Sequence, residues 1–202
     1  MDQRVSGIIL AAGRSQRMGR PKALLPIFGT TFLEHIVHQI RGSRLVDVKI
    51  VLGYQPEYIL ERLPDLKKAT VINSRYCEGQ LSSLQTGIRA LEPRNSDGLM
   101  LFLVDHPLVD TTLINEMINR FGRGGHPIVI PTFQGRRGHP VLFSKGLFVD
   151  LLSASPDEGA VAVVRQYRRQ IHHLEWKSNE ILIDVDTPEA YQRWILPRRV
   201  ES

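Results

Sequence analysis

Residues 7–26 (GIILAAGRSQRMGRPKALLP) constrain the fold of this chain more than any other stretch. They begin with large apolar residues flanked by small ones, a pattern typical of a strand buried on both faces of a parallel sheet. Three small residues follow, and then a loop that carries the cations Arg14, Arg17, Arg20 and Lys22. Because backbone amides and fixed cations bind triphosphates, the stretch predicts a buried strand that ends in a phosphate-binding loop.

This loop matches neither of the two best-known phosphate-binding motifs. In the Walker A motif a glycine is followed by Lys and then by Ser or Thr, whereas Gly19 is followed by Arg20 and Pro21. The G-x-G-x-x-G pattern of dinucleotide-binding loops is also absent. The loop is therefore predicted to be a third kind of phosphate loop.

The segment LAAGRSQRMGRPK resembles the signature of the nucleotidyltransferases related to molybdenum cofactor cytidylyltransferase, within the wider glycosyltransferase-A-like superfamily. A glycine-rich turn with a solvated basic face is the alternative interpretation. That alternative accounts for the cations but not for a buried strand followed by three small residues. The positions that match the family pattern are Leu10, Ala11, Ala12, Gly13, Ser15, Arg17, Met18, Gly19 and Lys22.

The rest of the chain alternates apolar runs with segments of helical periodicity. This rhythm predicts a single α/β domain over residues 1–202, with a doubly wound, mostly parallel, Rossmann-like sheet and helices on both faces. The resemblance implies that residues 5–105 bind the nucleotide and that residues 106–196 bind the acceptor. The expected strands lie at 46–52, 69–72, 98–104, 128–131, 141–143, 171–176 and 181–185, and the expected helices at 32–42, 56–63, 81–91, 113–121, 147–152, 158–167 and from 187 onward.

Composition narrows the range of partners and compartments. The formal net charge is +5, and several of the cations lie in the opening loop, which favours a small anionic ligand over nucleic acid. Cys77 is the one cysteine, so we expect no internal disulfide and a reducing, cytoplasmic location. The stretch MDQRVSG before the first strand has no long apolar segment, and no apolar run approaches about 18 residues, so neither export nor a membrane partner is expected.

Two aspartates follow apolar runs at positions suited to metal binding. Asp105 directly follows the run 98–104, which places it at the carboxyl edge of the sheet, where open α/β sheets bind ligands. The residues DHPLV match the Asp-x-Pro motif of the family, and Asp186 in DVDTPE matches the second metal-binding position of the superfamily. The resemblance therefore implies that Asp105 and Asp186 hold Mg²⁺ together with phosphate oxygens and water, with Asp184 as the weaker partner. For either aspartate alone, a turn or a helix cap is the alternative.

The resemblance implies transfer of a nucleoside monophosphate from a nucleoside triphosphate to a phosphate-bearing acceptor, with release of pyrophosphate. The catalytic residues would be Lys22, Arg17 and Asp105, which neutralise charge at the reacting phosphates. The loop NSRYCEGQLSSLQTG resembles the family segment that surrounds the base and ribose, although its two serines could instead cap a helix. The expected nucleotide-binding residues are Leu10, Ala11, Ala12, Gly13, Arg14, Ser15, Arg17, Lys22, Gly79, Ser82 and Ser83.

The second half of the chain resembles the acceptor side of the cofactor branch of this family, in the segments RRGHPVLF and DEGA. The resemblance implies that the first of these segments meets the phosphate of a pterin acceptor. A solvated hairpin turn is the alternative for its two arginines. The expected acceptor-binding residues are Arg137, Gly138, His139 and Pro140.

The preferred reaction is transfer of CMP from CTP, or of another nucleotide, to molybdenum-bound molybdopterin, giving the cytosine dinucleotide cofactor. A molybdenum hydroxylase apoenzyme is a further expected partner. Guanylyl-transferring relatives usually read Leu-Ala-Gly-Gly at residues 10–13, so the methyl group of Ala12 is expected to narrow the base pocket and favour a pyrimidine. The alternatives are guanylyl transfer to the same cofactor, a sugar- or polyol-phosphate nucleotidyltransferase, and a non-catalytic carrier or insertion protein.

Overall fold

The strand expected at the start of the chain, β1 (Val5–Ala11), is buried at every position in the computed structural model, which describes residues 3–91 and 96–196. Its side chains alternate between two apolar clusters. Val5 and Ile9 belong to one cluster, and Ile8 and Leu10 to the other. β1 is therefore a central strand with an apolar layer on each of its faces, as its sequence predicts.

The structure contains the predicted alternation of strands and helices. No helix in the described ranges is both long enough and apolar enough to cross a membrane. The other strands are β2 (Pro26–Ile27), β3 (Thr30–Thr31), β4 (Val48–Leu52), β5 (Thr70–Ile72), β6 (Gly98–Leu103), β7 (Ile128–Phe133), β8 (Arg136–Arg137), β9 (Val141–Ser144) and β10 (Ile171–Glu175). The α-helices are α1 (Phe32–Arg41), α2 (Pro56–Arg62), α3 (Gln80–Ala90), α4 (Thr111–Gly124), α5 (Phe148–Ser153), α6 (Gly159–Gln166) and α7 (Pro188–Trp194).

The central sheet is mixed but mostly parallel, with the strand order β10-β7-β9-β6-β1-β4-β5, and β8 pairs with β7. β1 is parallel to both of its neighbours, β4 and β6, and the pairs β4–β5 and β7–β10 are also parallel. β9 is antiparallel to β6 and to β7, so it joins two parallel groups of strands. The predicted fold class is confirmed, with β9 as the reversed strand inside the sheet.

Helices cover both faces of the sheet. α1, α2 and α4 contribute Phe32, Ile59 and Leu113 to one apolar cluster, whereas α3 and α5 contribute Leu84 and Leu151 to the other. The start of α1 is fixed by a capping box, since the backbone N–H of Glu34 donates to the Thr31 hydroxyl at 3.3 Å and the Glu34 carboxylate accepts from the Thr31 N–H at 3.1 Å. The chain thus forms a doubly wound α/β domain.

The expected strand at residues 181–185 is wrong, although the other expected strands and helices have counterparts within a few residues. Asn179–Leu182 is a 3-10 turn, and the segment after it pairs with no strand in the described part of the chain. Ile181, Ile183 and Val185 are all buried, so the apolar alternation reflects an extended segment packed against the core rather than a sheet ladder. The Val185 N–H at the end of this segment donates to the carbonyl oxygen of Asp105 at 2.8 Å.

Candidate functional site

A cleft of about 460 Å³ opens where β1 and β6 end. Because these neighbouring strands are parallel, their carboxyl ends meet at one edge of the sheet, which is the usual ligand site of an open α/β sheet. Tyr76 and Gln80 also line the cleft and were absent from the residues expected to bind nucleotide. The expected site residues that line it are Leu10, Ala11, Ala12, Gly13, Arg14, Ser15, Arg17, Lys22, Gly79, Ser83, Asp105 and Asp186.

The loop after β1 forms one wall of the cleft and leaves room beside its backbone. A Cβ atom placed on Gly13 would meet no atom within 4 Å in the described part of the chain. Ser15 has a left-handed backbone conformation, with φ 51°, and its hydroxyl accepts from the backbone N–H of Lys22 at 3.1 Å. This bond joins the two ends of the basic turn and sets where the Lys22 side chain begins.

Lys22 is surrounded by carboxylates. Its ammonium group donates to Asp105 Oδ2 at 2.9 Å and also contacts Asp186 Oδ1. Arg17 pairs with the other oxygen of Asp186. The Lys22 side chain is 11% exposed and that of Arg17 is 68% exposed, so Lys22 is the inner cation and Arg17 the outer one.

Asp105 also belongs to a group of side chains that could hold a metal ion. One ligand atom each from Asp105, His106 and Asp184 lie within 4.8 Å of one another. His106 Nδ1 is buried and has no hydrogen-bond partner among the described residues. Carboxylate oxygens with an imidazole nitrogen suit a first-row divalent cation such as Mn²⁺, so the donor set fits a metal.

This group differs from the metal pair expected from sequence. Asp186, the expected second ligand, pairs with Lys22 and Arg17, whereas Asp184, the expected weaker partner, lies in the group. His106 was missed. The available signal was its position directly after Asp105, at the carboxyl end of β6.

The charges of the group are shaped by burial. Burial lowers the pKa of His106, against the opposing effect of the Asp105 and Asp184 carboxylates. Burial raises the pKa of Asp184, and the nearby Asp105 carboxylate raises it further. A neutral imidazole is the form that binds a metal, and a cation between the two carboxylates would lower the pKa of Asp184 again.

The serines expected to bind nucleotide are both tied to Asn73. The Asn73 side-chain amide donates to the Ser82 hydroxyl at 2.9 Å and to the Ser83 hydroxyl at 3.0 Å. Ser83 lines the cleft. Ser82 is not part of the lining, and its hydroxyl donates to the carbonyl oxygen of Gly79 at 2.8 Å. Neither serine caps α3, because the N-cap residue of that helix is Gly79, with φ 98°.

The residues expected to bind the acceptor lie outside this cleft and are held by other contacts. The backbone N–H of Gly138 donates to Pro131 O at 2.8 Å, and that of His139, which precedes Pro140, donates to Ile181 O at 3.0 Å. The His139 ring lies 4.7 Å from that of His106, and burial, followed by the charge of His106, lowers the pKa of His139 to about 4. Arg137 is exposed on β8.

Comparison with known proteins places this chain in a family. The family described as MobA-like NTP transferase domain matches residues 7–172. The chain is 30% identical to a protein of Paenarthrobacter nicotinovorans named nicotine blue oxidoreductase, over 94% of this chain and 95% of the relative. It is 28% identical to the molybdenum cofactor cytidylyltransferase of Escherichia coli (strain K12), over 91% of this chain and 92% of the relative.

A solved structure adds a metal to the comparison. The crystal structure of Rv0371c from Mycobacterium tuberculosis H37Rv, in complex with manganese, superposes with a TM-score of 0.74 and 25% identity. The match covers 95% of this chain and 98% of that one. A manganese complex of a protein with this fold agrees with the metal-compatible donor set beside β6.

Proposed function

The chain belongs to the MobA-like NTP transferase family and is a nucleotidyltransferase, and we propose that it transfers CMP from CTP to molybdenum-bound molybdopterin. The relative from Escherichia coli, which carries the name of this activity, supports the choice of reaction. The observation that carries the proposal is the position of Lys22, held between Asp105 and Asp186 beside the open backbone of Gly13.

The proposed reaction exchanges one phosphoanhydride bond for another. A phosphate oxygen of the acceptor attacks the α-phosphorus of CTP, the bond from that phosphorus to the bridging oxygen of the β-phosphate breaks, and pyrophosphate leaves. The attacking oxygen is already anionic, so the step needs no general base. Lys22 and Arg17 neutralise the negative charge that develops on the α-phosphate and on the leaving group, and the loop at Gly13 positions them.

We propose Mg²⁺ as the metal in the cell. When bound, it would neutralise phosphate oxygens and align the leaving group. Asp105, His106 and Asp184 are the residues that would hold it. Asp186 orients Lys22 and Arg17, and it remains our candidate for a further ligand when phosphates pair with these cations instead.

We assign selection of CTP over GTP to Ala12, which lines the cleft and is 6% exposed. The methyl group therefore occupies space that a glycine would leave empty, which favours the smaller base. Guanylyl transfer to the same cofactor is the alternative that this proposal has to exclude.

We also propose that residues 5–105 bind the nucleotide and that residues 106–196 supply the acceptor side, with Asp186 reaching back to the first part. The reaction is expected in the cytoplasm, with an apoenzyme of the molybdenum hydroxylase class receiving the product. A pure carrier of the finished cofactor would have no need of a lysine set between two carboxylates beside an open phosphate loop.

The name of one relative favours a second function, that of an oxidoreductase, and this relative is 30% identical to the chain. Electron transfer makes no specific use of Lys22 or of its carboxylate partners. Nucleotidyl transfer uses each of these charges, which is why it remains the proposal.

A nucleotide panel tests the proposed function. CTP, UTP and GTP are each incubated with Mg²⁺, molybdenum-bound molybdopterin and the protein, and pyrophosphate and dinucleotide are measured. We expect both products from CTP and far less from GTP, and the matched control Lys22→Ala should form them about 100- to 1,000-fold more slowly. Equal or greater turnover of GTP would support the guanylyl alternative, and an absence of pyrophosphate with every nucleotide would overturn the proposal.

A further inference from the structure

The side chain of Asn73 is buried beside the cleft, and its surroundings fix the direction in which its amide points. Asn73 is 3% exposed, and its side-chain oxygen accepts from the backbone N–H of Arg75 at 3.0 Å. A backbone N–H can only donate, so the atom that it meets is the amide oxygen and the NH₂ group faces the other way. Both protons of that NH₂ group are used, one on the Ser82 hydroxyl and one on the Ser83 hydroxyl.

The two serine hydroxyls differ in where their own protons can go. Ser82 has two backbone acceptors, the carbonyl oxygens of Gly79 and of Arg75, the second at 3.0 Å. Ser83 accepts from Asn73, and in the described part of the chain its hydroxyl has no acceptor for its own proton. Because Ser83 lines the cleft, a ligand there supplies the acceptor that this hydroxyl lacks. The wall of the cleft therefore offers a hydrogen-bond donor at Ser83.

This donor lies on the side of the cleft opposite the charged groups. β1 has β4 on one side and β6 on the other, and Asp105, with its partner Lys22, follows β6. Asn73 follows β5, and its backbone N–H donates to the carbonyl oxygen of Leu52 at the end of β4, at 2.8 Å. The groups that suit a triphosphate are thus at the β6 side, which leaves the β4 side, with Ser83, for the base.

We propose that Asn73 is a positioning residue that holds the Ser83 hydroxyl as a donor to N3 of cytosine. The inference rests on the proposed function and adds the group that separates cytosine from uracil. N3 of cytosine carries a lone pair, whereas N3 of uracil carries a proton, so a fixed donor pairs with the first base and meets a second donor on the other. The Ala12 methyl group cannot make this distinction, because the two pyrimidines have nearly the same size. A buried polar group left unpaired by the wrong base is a strong source of selectivity.

The test is calorimetric binding of CTP and of 3-deaza-CTP, in which a C–H group replaces N3, with Mg²⁺ and without acceptor. We expect the wild-type protein to bind CTP about tenfold more tightly than 3-deaza-CTP, the scale of one buried hydrogen bond. Ser83→Ala should weaken CTP and bring the ratio of the two dissociation constants to about one.

Asn73→Asp tests the positioning role. Its carboxylate oxygen accepts the Ser83 proton in place of the NH₂ group that donated, so the hydroxyl turns a lone pair toward the cleft. We expect the ratio for CTP and 3-deaza-CTP to fall to about one although Ser83 is present, and UTP to gain relative to CTP. A merely structural defect would weaken all three nucleotides alike and leave the ratios unchanged. If Asn73→Asp fails to fold, Asn73→Ala should give a ratio between those of the wild type and Ser83→Ala.

Thr86→Val is the matched control, because the Thr86 hydroxyl lies on the same helix and donates to the carbonyl oxygen of Ser82 at 2.8 Å. It should keep the wild-type ratio. Equal binding of CTP and 3-deaza-CTP by the wild type, or an unchanged ratio in Ser83→Ala, would overturn the assigned donor, and an unchanged ratio in a folded Asn73→Asp would overturn the positioning role. Pyrophosphate release from CTP and acceptor, measured separately, distinguishes the two proposals. Release with a wild-type ratio of one overturns only this inference, whereas the expected ratio without release overturns the proposed function.

Discussion

Lys22 Nζ lies 2.9 Å from Asp105 Oδ2, although 83 residues separate the two in the chain. The contact joins the phosphate loop to the end of β6, and a second carboxylate, that of Asp186, lies against the same ammonium group. The positive charge of Lys22 is therefore held at the carboxyl edge of the sheet before a nucleotide binds. Charge that is already in position need not reorganise when the transition state forms, which is how electrostatic stabilisation lowers a barrier.

Replacing either partner of this contact should remove turnover without unfolding the protein. We expect Lys22→Ala and Asp105→Ala each to lower kcat by about 100- to 1,000-fold, the usual loss when one group that stabilises the transition state is removed. Steady-state pyrophosphate release measures the effect, and circular dichroism confirms the fold. Arg20→Ala is the matched control, because Arg20 is an exposed cation of the same loop. Near-normal turnover in either site variant would contradict the mechanism.

Metal binding should depend on the group beside β6. We expect excess chelator to abolish turnover. We also expect His106→Ala and Asp184→Asn each to weaken Mn²⁺ binding by about tenfold or more, because even the loss of a group that only supports a metal ligand lowers metal affinity by that factor. Electron paramagnetic resonance of free Mn²⁺ measures the affinity independently of activity. Asp65→Asn is the control, because this aspartate lies in the 3-10 helix Pro64–Ala69, outside the group. Unchanged Mn²⁺ affinity in both site variants would assign the group a structural role only.

Base selectivity should respond to the methyl group of Ala12. We expect Ala12→Gly to admit GTP while weakening CTP only slightly, because a methyl-sized exclusion is worth roughly 1–3 kcal/mol, or about 10–200-fold in relative kcat/KM. The measurement is kcat/KM for CTP, UTP and GTP in both proteins. A parent enzyme that prefers GTP would overturn the cytidylyl assignment, whereas an unchanged ratio in the variant would place the selectivity on other residues of the cleft.

Stability should be sensitive to Gly138, because a Cβ atom there would overlap the carbonyl oxygen of Ile181. We expect Gly138→Ala to lower the free energy of unfolding by about 1–3 kcal/mol, as overpacking does, and to lower turnover as well, since the displaced segment carries Asp184 and Asp186. Gly146→Ala is the control, because its added methyl group would come no closer than 3.7 Å to the Ser144 hydroxyl oxygen. Equal unfolding midpoints in urea for the two variants would contradict this packing.

The strands and helices of this fold were predictable because their signals are local. The apolar run of β6 and the period of α1 each lie within about ten residues of sequence, which is the range that periodicity covers. The position of Lys22 and Asp105 at the carboxyl edge of the sheet was predictable as well, because the parallel strands that precede them end on the same side. The resemblance of residues 10–22 to a nucleotidyltransferase signature added the prediction that the ligand is a nucleoside triphosphate.

What the sequence could not predict depends on contacts between distant segments. The apolar alternation at residues 181–185 is the same for a β-strand and for an extended segment packed on the core. The two differ only in whether another strand pairs with the segment, which the sequence pattern does not show. Which of Asp184 and Asp186 faces His106 follows from that segment's path, fixed by the bond from Val185 to Asp105.

The measurement that tests the central claim most directly is the fate of the α-phosphate of CTP. CTP labelled at that phosphorus is incubated with the protein, Mg²⁺ and molybdenum-bound molybdopterin, and the label is followed by chromatography. We predict that the label moves to the dinucleotide cofactor in equal amount to the pyrophosphate released, and that Lys22→Ala lowers the rate of both by about 100- to 1,000-fold. Label that stays in CTP or CDP, with free phosphate as the other product, would contradict nucleotidyl transfer.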